Sequence, residues 1–354
     1  MKRLAALGAL LCVSSCTSIE YYAQTVSGHL EVMWLAAPIE ERLREADTPA
    51  PLREKLRRVL VIREFASREL ALPDNDSYRR YADLGRPFVL WNVFAAPEFS
   101  VTPIQSCFPF AGCVSYRGFY SEAAAREHAG ALAKEGDDVY VGGVAAYSTL
   151  GWFADPVLST FIQYPEPEVA RIVFHELAHQ EVYVKGDTVF NESFASTVEE
   201  EGLRRWLERE GTSVQRAASV DARGRRSEFA ALVLRYRARL ADFYARPLSP
   251  EEKREGKRRL FAGMDDEYAA LKASWGGFTG FDRLLANGAN NAFLVSIASY
   301  TELVPAFRAL LAQSKGDLPS FYRAVRDLAK LDKAERDAHL AGLVASLVDT
   351  EAPR

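Results

Sequence analysis

The residues best suited to chemistry are His175, Glu176 and His179, which form an HExxH motif. On a helix, residues four apart lie on one face, so both histidines can bind one metal ion. Neutral imidazoles bind Zn²⁺ well, and a glutamate next to the first histidine can take a proton from a zinc-bound water. The pattern indicates three protein ligands and an open water position, which is the catalytic arrangement. The alternative is a pair of core histidines whose polar atoms are satisfied by protein partners.

Glu192 is the candidate for the third ligand. A turn signal at residues 185–187 allows a second helix, predicted over Phe190 to Glu208, to return antiparallel to the HExxH helix. Glu199 follows Glu192 by two helical turns on the same face, where it could accept a hydrogen bond from a ligand histidine. The alternative for Glu199 is a place in a solvated acidic run with the two glutamates that follow it.

The other elements are predicted from apolar periodicity and from turn residues. Helices are predicted over Ser27 to Glu45, Leu52 to Leu70, Ser121 to Glu135, Arg225 to Tyr244, Glu251 to Ser274, Asn291 to Ser314 and Leu318 to Leu328. Strands are predicted over Phe88 to Phe94, Val114 to Tyr120 and Asp138 to Gly142. A small sheet therefore precedes the HExxH helix, and the fold class is α+β and predominantly helical. We expect a single catalytic domain over residues 16–354, with additional N- and C-terminal helices.

The N-terminus has the features of an export signal. Two basic residues precede an apolar segment over Leu4 to Val13, which is too short for a stable membrane anchor. The sequence Val-Ser-Ser-Cys at residues 13–16 resembles a lipobox, so we expect residues 1–15 to be a lipoprotein signal peptide and Cys16 to be lipidated. Several acyl chains anchor a protein stably. By resemblance to Gram-negative lipoproteins, Thr17 after the cysteine favours the outer membrane, facing the periplasm. The alternative is an ordinary secretory signal with an incidental cysteine.

Cys107 and Cys113 are the cysteines that remain once Cys12 leaves with the signal peptide and Cys16 is acylated. Export to an oxidising compartment and a short loop containing proline and glycine favour a disulfide between them. The formal net charge of −4 gives no reason to expect nucleic-acid binding. We expect a monomer whose partners are a peptide substrate and a membrane lipid.

The zinc motif and several other segments resemble known peptidases. HExxH followed by Asn-Glu-Ser-Phe-Ala at residues 191–195 resembles the gluzincin metallopeptidases. The ligand motif of the M1-type aminopeptidases, N-E-G-F-A-x-x-x-E, is similar to residues 191–199, but the spacer here is shorter and their G-A-M-E-N segment is absent. The chain as a whole resembles a bacterial family of predicted zinc-dependent aminopeptidase lipoproteins, through residues 107–113, 116–118, 149–156 and 290–292. This resemblance implies a zincin-like domain and aminopeptidase activity.

The expected function is zinc-dependent peptide hydrolysis at the membrane surface. His175, His179 and Glu192 would hold Zn²⁺, and Glu176 would take a proton from the zinc-bound water and deliver it to the leaving amine. Tyr300 is a candidate donor to the tetrahedral intermediate, since gluzincins often use a tyrosine or histidine from the C-terminal half; the alternative is that it only packs. Further candidates near the cleft are Tyr116, Arg117, Tyr147 and Trp152. The alternative functions are an endopeptidase at the same site, or a non-catalytic envelope lipoprotein that binds peptidoglycan or a protein partner.

Overall fold

The computed structural model describes residues 20–108 and 112–351, with the side chains of residues 346–351 excepted. The predicted signal peptide and Cys16 lie outside the described residues. The first elements are α1 (residues 20–35), β1 (Ala37–Pro38), α2 (Ile39–Arg44), α3 (Ala50–Leu70), β2 (Arg80–Ala82), β3 (Leu90–Ala96), β4 (Ser106–Phe108), β5 (Gly112–Val114), β6 (Tyr116–Phe119), α4 (Glu122–Lys134), β7 (Asp138–Val144) and β8 (Val157–Leu158). The remaining elements are α5 (Ser159–Ile162), α6 (Glu166–Glu181), α7 (Thr188–Glu210), α8 (Ser213–Tyr244), α9 (Pro250–Ser274), α10 (Asp282–Leu285), α11 (Asn291–Thr301), α12 (Val304–Gln313), α13 (Leu318–Ala329) and α14 (Lys333–Glu351).

The predominantly helical α+β class is confirmed. The described strands all precede α6 and form more than the single small sheet predicted. One sheet has the order β1-β2-β8, with β2 and β8 parallel, and a second, fully antiparallel sheet has the order β6-β3-β7. Strands β4 and β5 form a separate hairpin in which Cys107 faces Cys113, and the predicted disulfide between them is present.

Three predicted elements are interrupted in the structure. The prediction of one continuous helix over Ser27 to Glu45 is wrong. Helix α1 ends at residue 35, the chain then forms β1, and α2 begins at Ile39. Pro38 explains the break, since proline lacks an N–H and disfavours the helical conformation of the residue before it. The predicted helix over Asn291 to Ser314 is two helices, the second of which carries a proline in its first turn. The strand predicted over Val114 to Tyr120 is likewise divided between β5 and β6.

The main core is built around α6 and α7, which pack against each other and against α3, α12 and α13. Phe174 of α6 and Phe194 of α7 are completely buried. Gly202 of α7 permits the closest approach, since a Cβ atom there would lie 2.8 Å from side-chain atoms of both Leu70 and Phe174. Replacing this glycine would therefore require the Leu70 and Phe174 side chains or the helices to shift.

A second core joins α8, α9 and α11 through Phe229, Met264 and Phe293, all of which are buried. The segment Asn291–Gln313 is long and apolar enough to cross a membrane by length and composition alone. In the structure it is divided between α11 and α12, and residues such as Phe293 and Phe307 are buried in the two cores. Burial in these cores accounts for its apolar composition.

Candidate metal centre

The α6–α7 hairpin positions the candidate ligands. The loop between the helices is held by Asn191, whose Oδ1 accepts a hydrogen bond from the Val184 N–H (2.7 Å) while its Nδ2 donates to the Val184 carbonyl (2.8 Å). Asp187 caps α7 by accepting from the Phe190 N–H. The buried Arg336 of α14 donates to the same carboxylate at 2.7 Å. These contacts fix the start of α7, one turn before Glu192.

The three predicted ligands lie together and are buried. Glu192 Oε2 lies 3.2 Å from His175 Nε2 and 3.5 Å from His179 Nε2, and the three ligand atoms all lie within 4.8 Å of one another. Tetrahedral zinc with bonds of about 2.0–2.2 Å separates neighbouring ligand atoms by roughly 3.3 Å. The two distances from Glu192 to the histidines match this separation, so the three side chains could hold one metal ion.

His179 supports the same interpretation. Its Nδ1 is buried and has no hydrogen-bond partner within the described part of the chain. Its other ring nitrogen has the 3.5 Å contact with Glu192, which is long for a hydrogen bond. A buried imidazole with so few partners is costly as a mere core residue, whereas a metal ion at Nε2 would compensate for its burial.

Glu199 is buried and contacts the first ligand histidine. His175 Nδ1 donates to Glu199 Oε2 at 2.8 Å, and Arg171 Nη1 donates to the other carboxylate oxygen at 2.8 Å. Arg171 is held in turn by Glu168 at 2.8 Å. Because the carboxylate can only accept, Nδ1 carries the proton in this contact, and Nε2 faces Glu192. The placement of Glu199 in a solvated run is thus excluded, whereas Glu200 forms an ion pair with Arg308 at the surface.

The pKa values in this cluster are strongly perturbed. Burial lowers the pKa of His175, but hydrogen bonds from its ring to Glu192 and Glu199 outweigh burial and raise the pKa to about 10. Burial raises the pKa values of Glu192 and Glu199, but neighbouring positive charges and hydrogen bonds lower each to about 2. A doubly protonated imidazole cannot be a metal ligand, so a metal must displace one proton from His175.

Glu176 faces a cavity of about 620 Å³ beside the ligands. Its walls come from α6, α7, β7, α8 and α11, and they include His175, Glu199 and Tyr300. Burial raises the pKa of Glu176, and the nearby histidines oppose that effect. A raised carboxyl pKa suits a group that must both accept and donate a proton near neutral pH.

Tyr300 lies beside the site. Its ring centroid is 6.2 Å from that of His175 with an interplanar angle of 30°, and it lines the cavity. Burial raises the pKa of Tyr300 well above its usual value, and the Glu192 charge adds to this. Its hydroxyl therefore stays protonated and can donate a hydrogen bond into the cavity.

The other candidates occupy different places. Burial, followed by the charge of Glu192, raises the pKa of Tyr116, which places that tyrosine near the ligands. Arg117 instead stacks on the Tyr21 ring at 3.9 Å, and the Tyr147 hydroxyl lies 2.7 Å from His29 Nδ1. Trp152 is 77% exposed. Arg117, Tyr147 and Trp152 do not line the cavity in the described structure.

Tyr78 and Asp155 are two buried residues near Glu176 that the sequence did not single out individually. Tyr78 has φ of 63°, is 1% exposed, and its hydroxyl has no hydrogen-bond partner among the described residues. Its N–H donates to the Asp155 carbonyl at 2.6 Å. Burial raises the pKa of Asp155 to about 6 and that of Tyr78 well above normal, the latter with a contribution from Glu176. Asp155 lies in the 149–156 segment that carried the family resemblance, whereas no sequence signal marked Tyr78.

Comparison with known proteins gives one match. A family model described as "Putative aminopeptidase" matches residues 20–340, which is most of the chain. No match is found among curated proteins or among solved structures.

Proposed function

The chain belongs to the "Putative aminopeptidase" family, and from this premise we propose that it is a zinc-dependent peptidase, acting as an aminopeptidase. The family membership supports peptide hydrolysis in general terms. The observation that carries the metal-dependent part is the spacing of three buried donor atoms, with Glu192 Oε2 at 3.2 and 3.5 Å from the two histidine Nε2 atoms. A cavity beside these ligands gives a substrate access to the site.

The chain's own residues divide the work of such a reaction. Zinc, when bound, supplies an activated water and a Lewis acid for the scissile carbonyl. Glu176, whose pKa is raised by burial, would accept the proton of the attacking water and pass it to the leaving amine. Glu199 holds the His175 ring with Nε2 directed at the metal position. Tyr300, held protonated by burial, would donate a hydrogen bond to the negative oxygen that develops on the substrate.

Strand β7 offers a place for the substrate backbone. It pairs only with β3 among the described strands, and Gly142 and Gly143 line the cavity. A Cβ at residue 143 would lie 2.3 Å from the Phe88 ring, so the close packing there requires glycine. An extended peptide could add to this edge beside Gly142 and Gly143 through backbone hydrogen bonds.

An endopeptidase is the second candidate. An aminopeptidase must bind the free amine of its substrate, and a carboxylate is the usual partner for an ammonium group. The carboxylates that line the cavity among the described residues are Glu176, Glu199 and Glu200. Glu199 already pairs with Arg171, and Glu200 with Arg308. A substrate amine would therefore have to displace Arg308 or contact Glu176, whereas an endopeptidase needs neither.

Cleavage of a peptide library by the purified protein, read by mass spectrometry, tests the proposal. We expect stepwise shortening from free N-termini, with peptides of the same sequence but acetylated N-termini left intact. Loss of cleavage with a chelator and recovery with Zn²⁺ would establish the metal requirement. Internal cuts in acetylated peptides would favour the endopeptidase. A zinc-loaded protein that cleaves nothing would contradict the proposal and favour the non-catalytic lipoprotein.

We also propose that the protein is a bacterial envelope lipoprotein anchored through Cys16, in the outer membrane and facing the periplasm. The lipobox-like sequence at residues 13–16 supports this. Cys16→Ala should abolish incorporation of labelled palmitate. Cys12→Ala is the matched control, because that cysteine lies within the apolar segment and should leave labelling unchanged. Palmitate incorporation into the Cys16→Ala protein would contradict the anchor.

A further inference from the structure

Helix α1 exposes an unusual face. Tyr22, Val26, Leu30 and Trp34 follow one another at four-residue spacing, so they lie along one side of the helix. They are 43%, 58%, 59% and 84% exposed, whereas Tyr21 and Val32 on the other side are buried in the protein. A surface helix normally presents polar residues to water. This apolar face is about 18 Å long at 1.5 Å per residue.

The apolar face continues onto a neighbouring loop. The Phe153 ring lies 4.7 Å from the ring of His29, the residue next to Leu30, and Phe153 is 51% exposed. Trp152 beside it is 77% exposed. The His29 ring is in turn held at 2.7 Å by the Tyr147 hydroxyl. Exposed aromatic and aliphatic residues thus come from two segments that meet at His29, and large exposed apolar patches of this kind mark interaction sites.

Little charge opposes burial of this face in an apolar environment. The acidic residues of α1 are Glu20, at its first residue, and Glu31. Glu31 is exposed, but it forms an ion pair with Arg86 at 3.3 Å that partly neutralises its charge. Helices that lie in a membrane interface combine a face of tryptophan, leucine and similar residues with tyrosine or tryptophan at the headgroup level. The apolar face of α1 matches the lipid-facing side of such helices, although α1 itself contains no lysine or arginine.

The position of the predicted lipid anchor at Cys16 indicates that a membrane covers the apolar face of α1. Helix α1 begins at residue 20, and Cys16 lies four residues earlier. Four residues span at most about 14 Å when fully extended. A lipid chain on Cys16 would therefore hold the start of α1 close to the headgroups. We propose that Tyr22, Val26, Leu30 and Trp34, together with Trp152 and Phe153, lie on the membrane and form a second contact beside the lipid anchor. This inference rests on the proposed lipidation.

Depth-dependent quenching tests this proposal. The protein purified from bacterial membranes is reconstituted in vesicles of phosphatidylethanolamine and phosphatidylglycerol that carry brominated acyl chains, and tryptophan emission is recorded. We expect bromolipid to quench part of the emission, because Trp34 and Trp152 are both exposed on the proposed contact. This part should fall in Trp34→Phe and in Trp152→Phe, and be lost when both tryptophans are changed. Val26→Ser with Leu30→Ser should also weaken the quenching. Val214→Ser with Val220→Ser is the matched control, because these exposed valines of α8 lie outside the face.

Mass spectrometry of the N-terminal peptide shows whether Cys16 is lipidated, so the membrane contact of α1 can be tested separately from the lipid anchor. A lipidated protein whose Trp34 emission is not quenched would overturn the membrane contact and leave the anchor intact. Blue-shifted Trp34 emission without quenching would place the face against a second protein copy instead, and would also overturn it. An unlipidated protein that still binds vesicles with quenched Trp34 would support the contact and refute the anchor. An unlipidated protein without quenching would refute both.

Discussion

The 2.8 Å hydrogen bond from His175 Nδ1 to Glu199 makes a quantitative prediction for zinc affinity. Glu199→Gln keeps the size of the side chain and an acceptor oxygen but removes the negative charge. The charge fixes the tautomer of His175 and increases the basicity of its Nε2. We therefore expect the variant to fold and to bind zinc more weakly than the natural protein.

The size of the effect follows from the contact. Loss of an outer partner of a zinc-bound histidine typically costs about 10- to 100-fold in metal affinity. This corresponds to about 1.4–2.8 kcal/mol. Arg171 loses its ionic partner on α7 but keeps the 2.8 Å bond to Glu168, so it is not left as an isolated buried charge. The metal-free protein also loses the charged contact between Glu199 and protonated His175, so zinc affinity and stability must be measured separately.

Competition with a chromophoric chelator measures the zinc dissociation constant, and denaturant unfolding of the metal-free proteins measures stability. Glu200→Gln is the matched control, since Glu200 is the next residue, lines the same cavity and pairs with Arg308 rather than with a histidine. We expect Glu200→Gln to keep the natural affinity. If Glu199→Gln binds zinc within twofold of Glu200→Gln, Glu199 does not support the metal site and the assignment is refuted.

Three other perturbations test the site. Glu176→Gln should keep full zinc content by elemental analysis while lowering turnover by roughly 10²- to 10⁴-fold, as for loss of a general base; zinc loss would show a structural role instead. Because the pKa of His175 is raised to about 10, zinc would have to displace a proton from this ring at neutral pH. The apparent zinc affinity should therefore rise about tenfold per pH unit between about pH 7 and 9, and it should level off above about pH 10. Calorimetry in buffers of different ionisation enthalpy should detect that proton, and a pH-independent affinity would contradict it. Arg336→Ala should lower the free energy of unfolding by about 3 kcal/mol, because it leaves the buried Asp187 carboxylate without its closest cation, whereas the exposed Arg323→Ala should change it little; equal unfolding curves for the two variants would refute this role.

Local patterns were sufficient to find the candidate site. The HExxH spacing and the seven-residue spacing of Glu192 and Glu199 depend only on helical periodicity. The structure brings the side chains of both histidines and both of these glutamates together. The predicted helix boundaries were accurate for α3 and α9. The helix predicted over Arg225 to Tyr244 was too short, because α8 begins at Ser213. The prediction of one helix over Ser27 to Glu45 failed near Pro38. Apolar periodicity continues across this proline, but the chain there leaves the helix and forms the short strand β1.

Features that depend on long-range contacts could not be predicted. The sheet β1-β2-β8 uses strands of two or three residues, too short to show an alternating pattern. Tyr78 adopts a positive φ between two long-range contacts. Arg63 donates to the Ser77 carbonyl at 2.8 Å and the Tyr78 N–H donates to the Asp155 carbonyl, and neither contact has a sequence signature. The ion pair between Arg336 and Asp187 joins residues far apart in the chain.

Helix α7 shows why these distant contacts matter to the site. It carries both Glu192, on the metal side, and Glu199, which holds His175, so any rotation of the helix moves both carboxylates at once. A shift by one residue turns the helix face by about 100°. The start of α7 is fixed by the Asp187 cap, by Arg336 and by the two bonds between Asn191 and Val184. The short-range motif supplies the candidate ligands, but helix α14 is part of what holds them in position.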